Sequence, residues 1–375
     1  MELAPPLTPT LDDATWNERL VTLHKQLFAS EAFGFEETMT HIYRPPEGWI
    51  LADHCLVHDS KEWHLFYITG PIAYADPWIA LLRAGEFERA REIAYEVGDA
   101  HAVGPTLGEL QYKGLILQEP QGEFGIALQG TSNIIRFEDH WVNIYTGRGP
   151  QGQSLCLARS RDLYQWAMEP SNPIWRPPVY ANPTGVCKNA HIVRHPIDGR
   201  YLIYYCLTHE NGAACVALLS TTDFKRFDDH GPVLMMTHQL RGTNGIECPC
   251  VIVREGMWHL FFGLGPGCWH AVSNRPDDFM GARRFRPTEK SRALAVSAGG
   301  CYWLGPFHAV EVFEHGGHWW MTSTRKEYQR YLNRKAGILK FRGTAADEAA
   351  ILDGLFLCEV HWNGDQPMLR KLACV

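Results

Sequence analysis

Apolar residues fall in short runs along this chain, each closed by Gly, Pro, Asp or Asn, and one unit recurs. A turn with glycine or charged residues leads into an aromatic, which opens a short apolar strand. The unit reads DSKEWHLFYITG over 59–70, FEDHWVNIYTG over 137–147, PIDGRYLIYYCLT over 196–208, REGMWHLFFGLG over 254–265 and EHGGHWWMTST over 314–324. Its anchoring aromatics are Trp63, Trp141, Tyr201, Trp258 and Trp319. After a longer first interval they return about every 60 residues. A second unit of small residues, Ser or Thr, Asp and an aromatic follows: AHAVGPTLGEL (100–110), CLARSRDLYQW (156–166), VALLSTTDFKRF (216–227) and HAVSNRPDDF (270–279).

Together the two units supply about four short strands per copy. Five copies at a fixed long period predict an all-β fold, a five-bladed β-propeller, because one blade cannot bury both its faces alone. A β-sandwich also gives spaced strands but does not require such a repeat. The propeller is expected over 45–360, with 1–44 as an N-terminal helical extension and 361–375 as a tail closing or flanking the last blade. Two segments carry helical periodicity. Trp16, Leu20, Leu23, Leu27 and Phe28 share a face over 12–29, after Asp12 and Asp13 as caps. Residues 76–97 interrupt blade 1, with Asp76 as cap, Pro77 in the first turn, and Ile79, Leu82, Phe87 and Ile93 periodic.

Composition narrows the class. Hydrophobic residues are 45% and charged residues 21%, ordinary for a globular chain, and the formal charge of −7 disfavours nucleic acid as a partner. No window approaches 18 apolar residues, so no membrane partner is expected, and MELAPPLTPTLDD has no apolar core of a signal peptide. The 11 cysteines form no CxxC pair, so they are read as reduced thiols of a cytoplasmic protein. The histidines show no HxH or HExxH spacing, so no metal site and no cofactor are expected. The basic clusters 282–292 and 325–335 read as solvated loops. A small-molecule or oligosaccharide substrate is the expected partner, with self-association left open.

In a propeller the innermost strand of each blade runs along the axis, here ILADHCLV (50–57), LQGTSNII (128–135), VCKNAHIV (186–193), GIECPCVIV (245–253) and GPFHAVEV (305–312). Their polar residues are Asp53, His54, Ser132, Asn133, Lys188, Asn189, Glu247 and His308. Carboxylates inside apolar strands are costly unless paired or functional, and Asp53 and Glu247 occupy matching positions. Two convergent carboxylates are the equipment of glycoside hydrolysis. Further substrate-binding candidates are His101, facing the funnel from the next strand, and Trp269, His270 and Trp303, which follow Gly-rich turns and suit sugar stacking. A cluster of His54, His101, His191, His270 and His308 offers acid–base chemistry.

Over roughly 45–360 the chain resembles the five-bladed propellers of glycoside hydrolase families 32, 43 and 68, which include β-fructofuranosidases, arabinofuranosidases, β-xylosidases and levansucrases. ADHCLVHDSKEWHLFY resembles the strand that opens with the catalytic Asp, here Asp53. IECPCVIV resembles the Glu-Cys-Pro strand of the general acid, here Glu247. VCKNAHIV resembles the Arg-Asp-Pro strand whose Asp holds sugar hydroxyls and tunes the acid. The resemblance implies a glycosidase or transglycosidase of carbohydrate metabolism acting on a furanoside or related small glycoside. It also implies a calcium ion held near His308 through water. Two departures stand out: Asn189 occupies the Asp position of Arg-Asp-Pro, and His54 stands where the family has Pro. Asn is neutral, so it cannot tune Glu247 by charge. The alternatives are a propeller enzyme repurposed for cyclisation, elimination or isomerisation of another metabolite, and a non-catalytic carbohydrate-binding propeller.

Overall fold

The computed structural model describes residues 35–71, 98–117, 127–149, 152–183, 185–236, 245–264, 267–279, 296–298, 301–324 and 354–372, with isolated positions between 77 and 89. The helix expected over 12–29 lies outside them. Of the one expected over 76–97, Pro77, Ala80, Leu81, Ala84 and Arg89 are described, all helical.

A short helix α1 (Phe35–Thr38) precedes strand β1 (Thr40–Tyr43). Five antiparallel sheets follow. Blade 1 holds β2 (His54–His58), β3 (Trp63–Thr69), β4 (Gly98–Gly104) and β5 (Gln111–Leu117). Blade 2 holds β6 (Ala127–Phe137), β7 (His140–Gly149), β8 (Gly152–Ser160) and β9 (Ala167–Met168). Blade 3 holds β10 (Cys187–Arg194), β11 (Tyr201–Thr208), β12 (Ala214–Thr221) and β13 (Asp228–Met236). Blade 4 holds β14 (Glu247–Arg254), β15 (Met257–Gly263), β16 (Cys268–Ser273), β17 (Val296–Ala298) and β18 (Cys301–Gly305). Blade 5 holds β19 (His308–His315), β20 (His318–Thr324), β21 (Leu355–Asn363) and β22 (Gln366–Arg370). Strand β1 pairs with β21, so residues 40–43 and 355–363 share one sheet and the ring is closed by hydrogen bonds.

The five-bladed propeller read from the repeat is therefore the observed fold. Each aromatic anchor stands at or beside the start of its blade's second strand. Middle strands are covered on both faces most completely in blades 1 and 3, where every residue of β3, β11 and β12 is buried. The Ser/Thr-x-Asp unit is one repeated turn. Ser160 Oγ accepts the Leu163 N–H at 2.9 Å and Asp162 Oδ1 accepts that of Gln165 at 2.8 Å; Thr221 and Asp223 do the same for Phe224 and Arg226 at 2.9 Å each. Leu163 and Phe224 take positive φ there and bury their side chains between blades.

Around the axis, matching positions on the innermost strands staple each blade to the next. Asn133 Oδ1 accepts the Ile192 N–H at 2.7 Å, and His191 Nδ1 accepts that of Val251 at 3.2 Å. Cys250 Sγ accepts the Val312 N–H at 3.3 Å, and Glu311 Oε2 accepts that of Leu56 at 2.7 Å. The Cys55 thiol takes the Ile134 backbone and completes the circuit. Alternation leaves one side chain per blade facing its neighbour at this level, and each of the five can accept a hydrogen bond.

Candidate active site

Asn189, Glu247 and His308 stand at bulges that the innermost strands share at one level, and Asp53 immediately precedes β2 in blade 1. Pairing shifts register between Gln129 and Asn133, Lys188 and His191, Glu247 and Cys250, and His308 and Glu311. At each bulge one residue takes positive φ: Thr131 (57°), Asn189 (57°), Cys248 (49°) and Ala309 (49°). Non-glycine residues rarely hold this conformation, and four matching cases on one axis mark a constructed site. Counted back from the staple positions, Asp53 is the blade 1 member of the same ring. The preceding position in blades 3, 4 and 5 carries Lys188, Glu247 and His308.

The side chains at this level make two sets of contacts, one around Asp53 and one between Lys188 and Glu247. Asn189 Nδ2 donates to Asp53 Oδ2 at 2.8 Å and lies 3.1 Å from Cys248 Sγ. His308 Nε2 lies 3.1 Å from Asp53 Oδ1, and Thr131 Oγ1 donates to Asp53 Oδ2 at 3.4 Å. Lys188 Nζ donates to Glu247 Oε1 at 2.6 Å. Burial opposes the Lys188 charge, but Glu247 and Asp53 outweigh it and raise its pKa. The Asp53 and Glu247 side chains keep 14% and 10% of their surface open, enough for a ligand to touch them.

Residues of this ring line an axial cavity of about 30 Å³. A water needs roughly 10–15 Å³, so the cavity holds one or two waters or an ion. Asp53, Thr131, Asn189, Cys248 and Ala309 line it together with His54, Ser132 and Glu311. His54 Nε2 lies 2.7 Å from Thr322 Oγ1, and burial lowers its pKa to about 4, so it is neutral near pH 7. Ser132 donates to Asp99 and accepts from Asn143 Nδ2 at 2.8 Å, a buried polar strut behind the wall.

Four sequence candidates stand elsewhere. His101 lies on β4, 2.9 Å from His64 Nδ1 and stacked on Phe66. His270 lies on β16, 3.0 Å from His259 Nδ1 and stacked on Phe261. Trp269 and Trp303 are cross-strand partners on β16 and β18, and Trp269 Nε1 donates to the Leu264 carbonyl at 2.8 Å. All four are at most 2% exposed and none lines the axial cavity. The outer strands of a blade face neighbouring blades, so a Gly-rich turn and an aromatic there mark packing. Conversely, Thr131, Cys248 and Glu311 line the cavity without being among the candidates that the sequence offers. Glu311 was a carboxylate in an apolar strand, the signal that singled out Asp53 and Glu247.

The described donors around His308 do not suit calcium. Beside the imidazole stand the Asp53 carboxylate and the Cys248 thiol, whereas calcium takes 6–8 oxygen ligands. Among the described residues no helix is long and apolar enough to cross a membrane. Ten cysteines are described and all are free; nine are buried, and Cys248 is half-buried.

No protein-family model and no curated protein sequence matches the chain. Solved structures do. A Bombyx mori family 32 β-fructofuranosidase superimposes with a TM-score of 0.61 at 13% identity, covering 97% of this chain and 70% of that one. Fructan 1-exohydrolase IIa from Cichorium intybus gives 0.61 at 15% identity, covering 91% of this chain and 62% of that one. A thermostable family 43 glycoside hydrolase gives 0.55 at 13% identity, covering 87% of this chain and 95% of that one. At these identities the likeness is one of fold, and the chain is a divergent five-bladed β-propeller of the kind those glycoside hydrolases are built on.

Proposed function

We propose that the protein is a glycosidase or transglycosidase acting on a furanoside or related small glycoside. The observation that carries this reading is that Asp53 and Glu247, from blades 1 and 4, both act electrostatically on Lys188 and Cys248 at the axis, with Glu247 one position ahead of the level of Asp53. The β-fructofuranosidase, fructan exohydrolase and family 43 enzymes with the same fold support it. Glu247 protonates the leaving oxygen. Asp53 attacks the anomeric carbon or activates water. His308, Asn189 and Thr131 hold the Asp53 carboxylate in one orientation, so little reorganisation is needed when charge develops opposite it. Asn189 positions Asp53 and a substrate hydroxyl without adding charge.

One contact favours a second reading. The Lys188–Glu247 ion pair at 2.6 Å must open before Glu247 can carry a proton. Left closed, it suits a site in which Glu247 is a base and Lys188 stabilises an anion, as in elimination or isomerisation of another metabolite. Incubation with a panel of aryl furanosides and pyranosides separates the two. Release of free sugar from at least one is the outcome expected of a glycosidase. Silence across the panel contradicts it and leaves the second reading.

A further inference from the structure

We infer that Asp53, Cys248 and His308 form a binding site for a divalent cation of the zinc class. A carboxylate oxygen, a thiol sulfur and an imidazole nitrogen from these residues lie within 4.8 Å of one another. A tetrahedral ion with bonds of about 2.0–2.3 Å keeps its ligand atoms about 3.3–3.6 Å apart. His308 Nε2 and Asp53 Oδ1, at 3.1 Å, already span nearly one such edge. The donors also fit in kind: a thiolate with an imidazole and one carboxylate selects a borderline ion over calcium or magnesium. Binding displaces the Cys248 thiol proton to solvent. Thiolate, carboxylate and neutral imidazole then balance the charge of the ion, and the nearby Lys188 ammonium is already paired with Glu247.

Asn189 supplies a second, independent observation. It is 1% exposed, and its Oδ1 has no hydrogen-bond partner among the described residues. Its Nδ2 points at Asp53 and Cys248. Turning the amide over presents the oxygen to an ion seated between those two and supplies a fourth ligand. The sequence shows no such site because its donors come from three blades, where local spacing is uninformative. A loaded site would occupy Asp53 and block its attack. That consequence rests on the glycosidase reading; the binding itself does not.

The test is titration of the metal-stripped protein with cobalt(II), followed by zinc. One equivalent of cobalt should produce tetrahedral ligand-field bands and a near-ultraviolet thiolate-to-cobalt band, and one equivalent of zinc should erase both. Cys248→Ser should abolish the thiolate band and weaken binding by at least about tenfold, while Cys250→Ala on the same strand keeps the band. In the unaltered protein, one equivalent of zinc should slow alkylation of Cys248 by iodoacetamide, read by peptide mass mapping; this arm needs no variant. Absence of the thiolate band, its survival in a folded Cys248→Ser protein, or unchanged Cys248 alkylation overturns the proposal. None of these readouts depends on glycosidase activity.

Discussion

Asn189 turns its amide nitrogen to Asp53, 2.8 Å from Oδ2, so blade 3 gives the blade 1 carboxylate a neutral donor rather than a second charge. The relationship is set by the backbone. Asn189 holds a φ of 57° inside a bulge, which swings its side chain from the blade into the axis.

Asn189→Asp is the exchange this geometry judges most clearly. Two carboxylates at hydrogen-bond distance must share a proton, and Asp53 loses part of its charge. Turnover at neutral pH should fall at least about tenfold, with the kcat–pH profile displaced. A gain in activity on simple furanosides would instead mark Asn189 as a lost tuning carboxylate.

Asp53→Asn should lower kcat by about 10²–10⁴-fold or more, since an amide is neither nucleophile nor base. Substrate affinity, measured by calorimetry on the inactive variant, should change little. Near-normal kcat would remove Asp53 from the chemistry.

Glu311 staples blade 5 to blade 1, and burial raises its carboxyl to about 8 against the Leu56 N–H that lowers it. The folded protein therefore keeps a proton that the unfolded chain has lost above about 4.5. Stability from this group is full below that value and falls as pH rises toward 8, by up to about 1.4 kcal/mol per pH unit. Glu311→Gln retains an acceptor oxygen without the charge, so urea unfolding between pH 6.5 and 8 should become flatter. An unchanged slope would show that Glu311 does not hold its proton.

Buried histidines act on the acid side. Burial lowers His54, His191 and His259 to about 4 and His101 to about 3, from an ordinary 6.5. In that window the unfolded chain binds more protons, so stability is full above 6.5 and is lost as pH falls toward 4. Unfolding followed at pH 6.5, 5.5 and 4.5 should show progressive loss with proton uptake at pH 5. Equal stability at the three values would contradict the buried, neutral state of these rings.

The sequence made the blades legible because a propeller repeats one burial problem. Trp63, Trp141, Tyr201, Trp258 and Trp319 fall where each second strand begins, and the innermost strands follow from them. Asp53 and Glu247 stand out in the sequence because a carboxylate in an apolar strand is costly unless paired, yet Glu311 carries the same signal and serves a contact between blades. The bulges were not legible. Strict alternation cannot show that Cys248 and Thr131 are swung to the axis while Cys250 and Asn133 staple blades. His101, His270, Trp269 and Trp303 are buried away from the axial cavity; an aromatic or imidazole side chain on a strand suits a ligand and suits an interface between blades equally. Closure by β1 was hidden too, since THIY at 40–43 carries no mark of pairing with LFLCEVHWN at 355–363.

Proton delivery by Glu247 is read out in kcat of Glu247→Gln on a substrate the native protein turns over. Gln keeps the side chain's shape and its reach to Lys188 but has no acidic proton to give. The glycosidase account predicts a fall in kcat of about 10²–10⁴-fold with substrate binding retained. A folded Glu247→Gln protein that turns over at the native rate would contradict it.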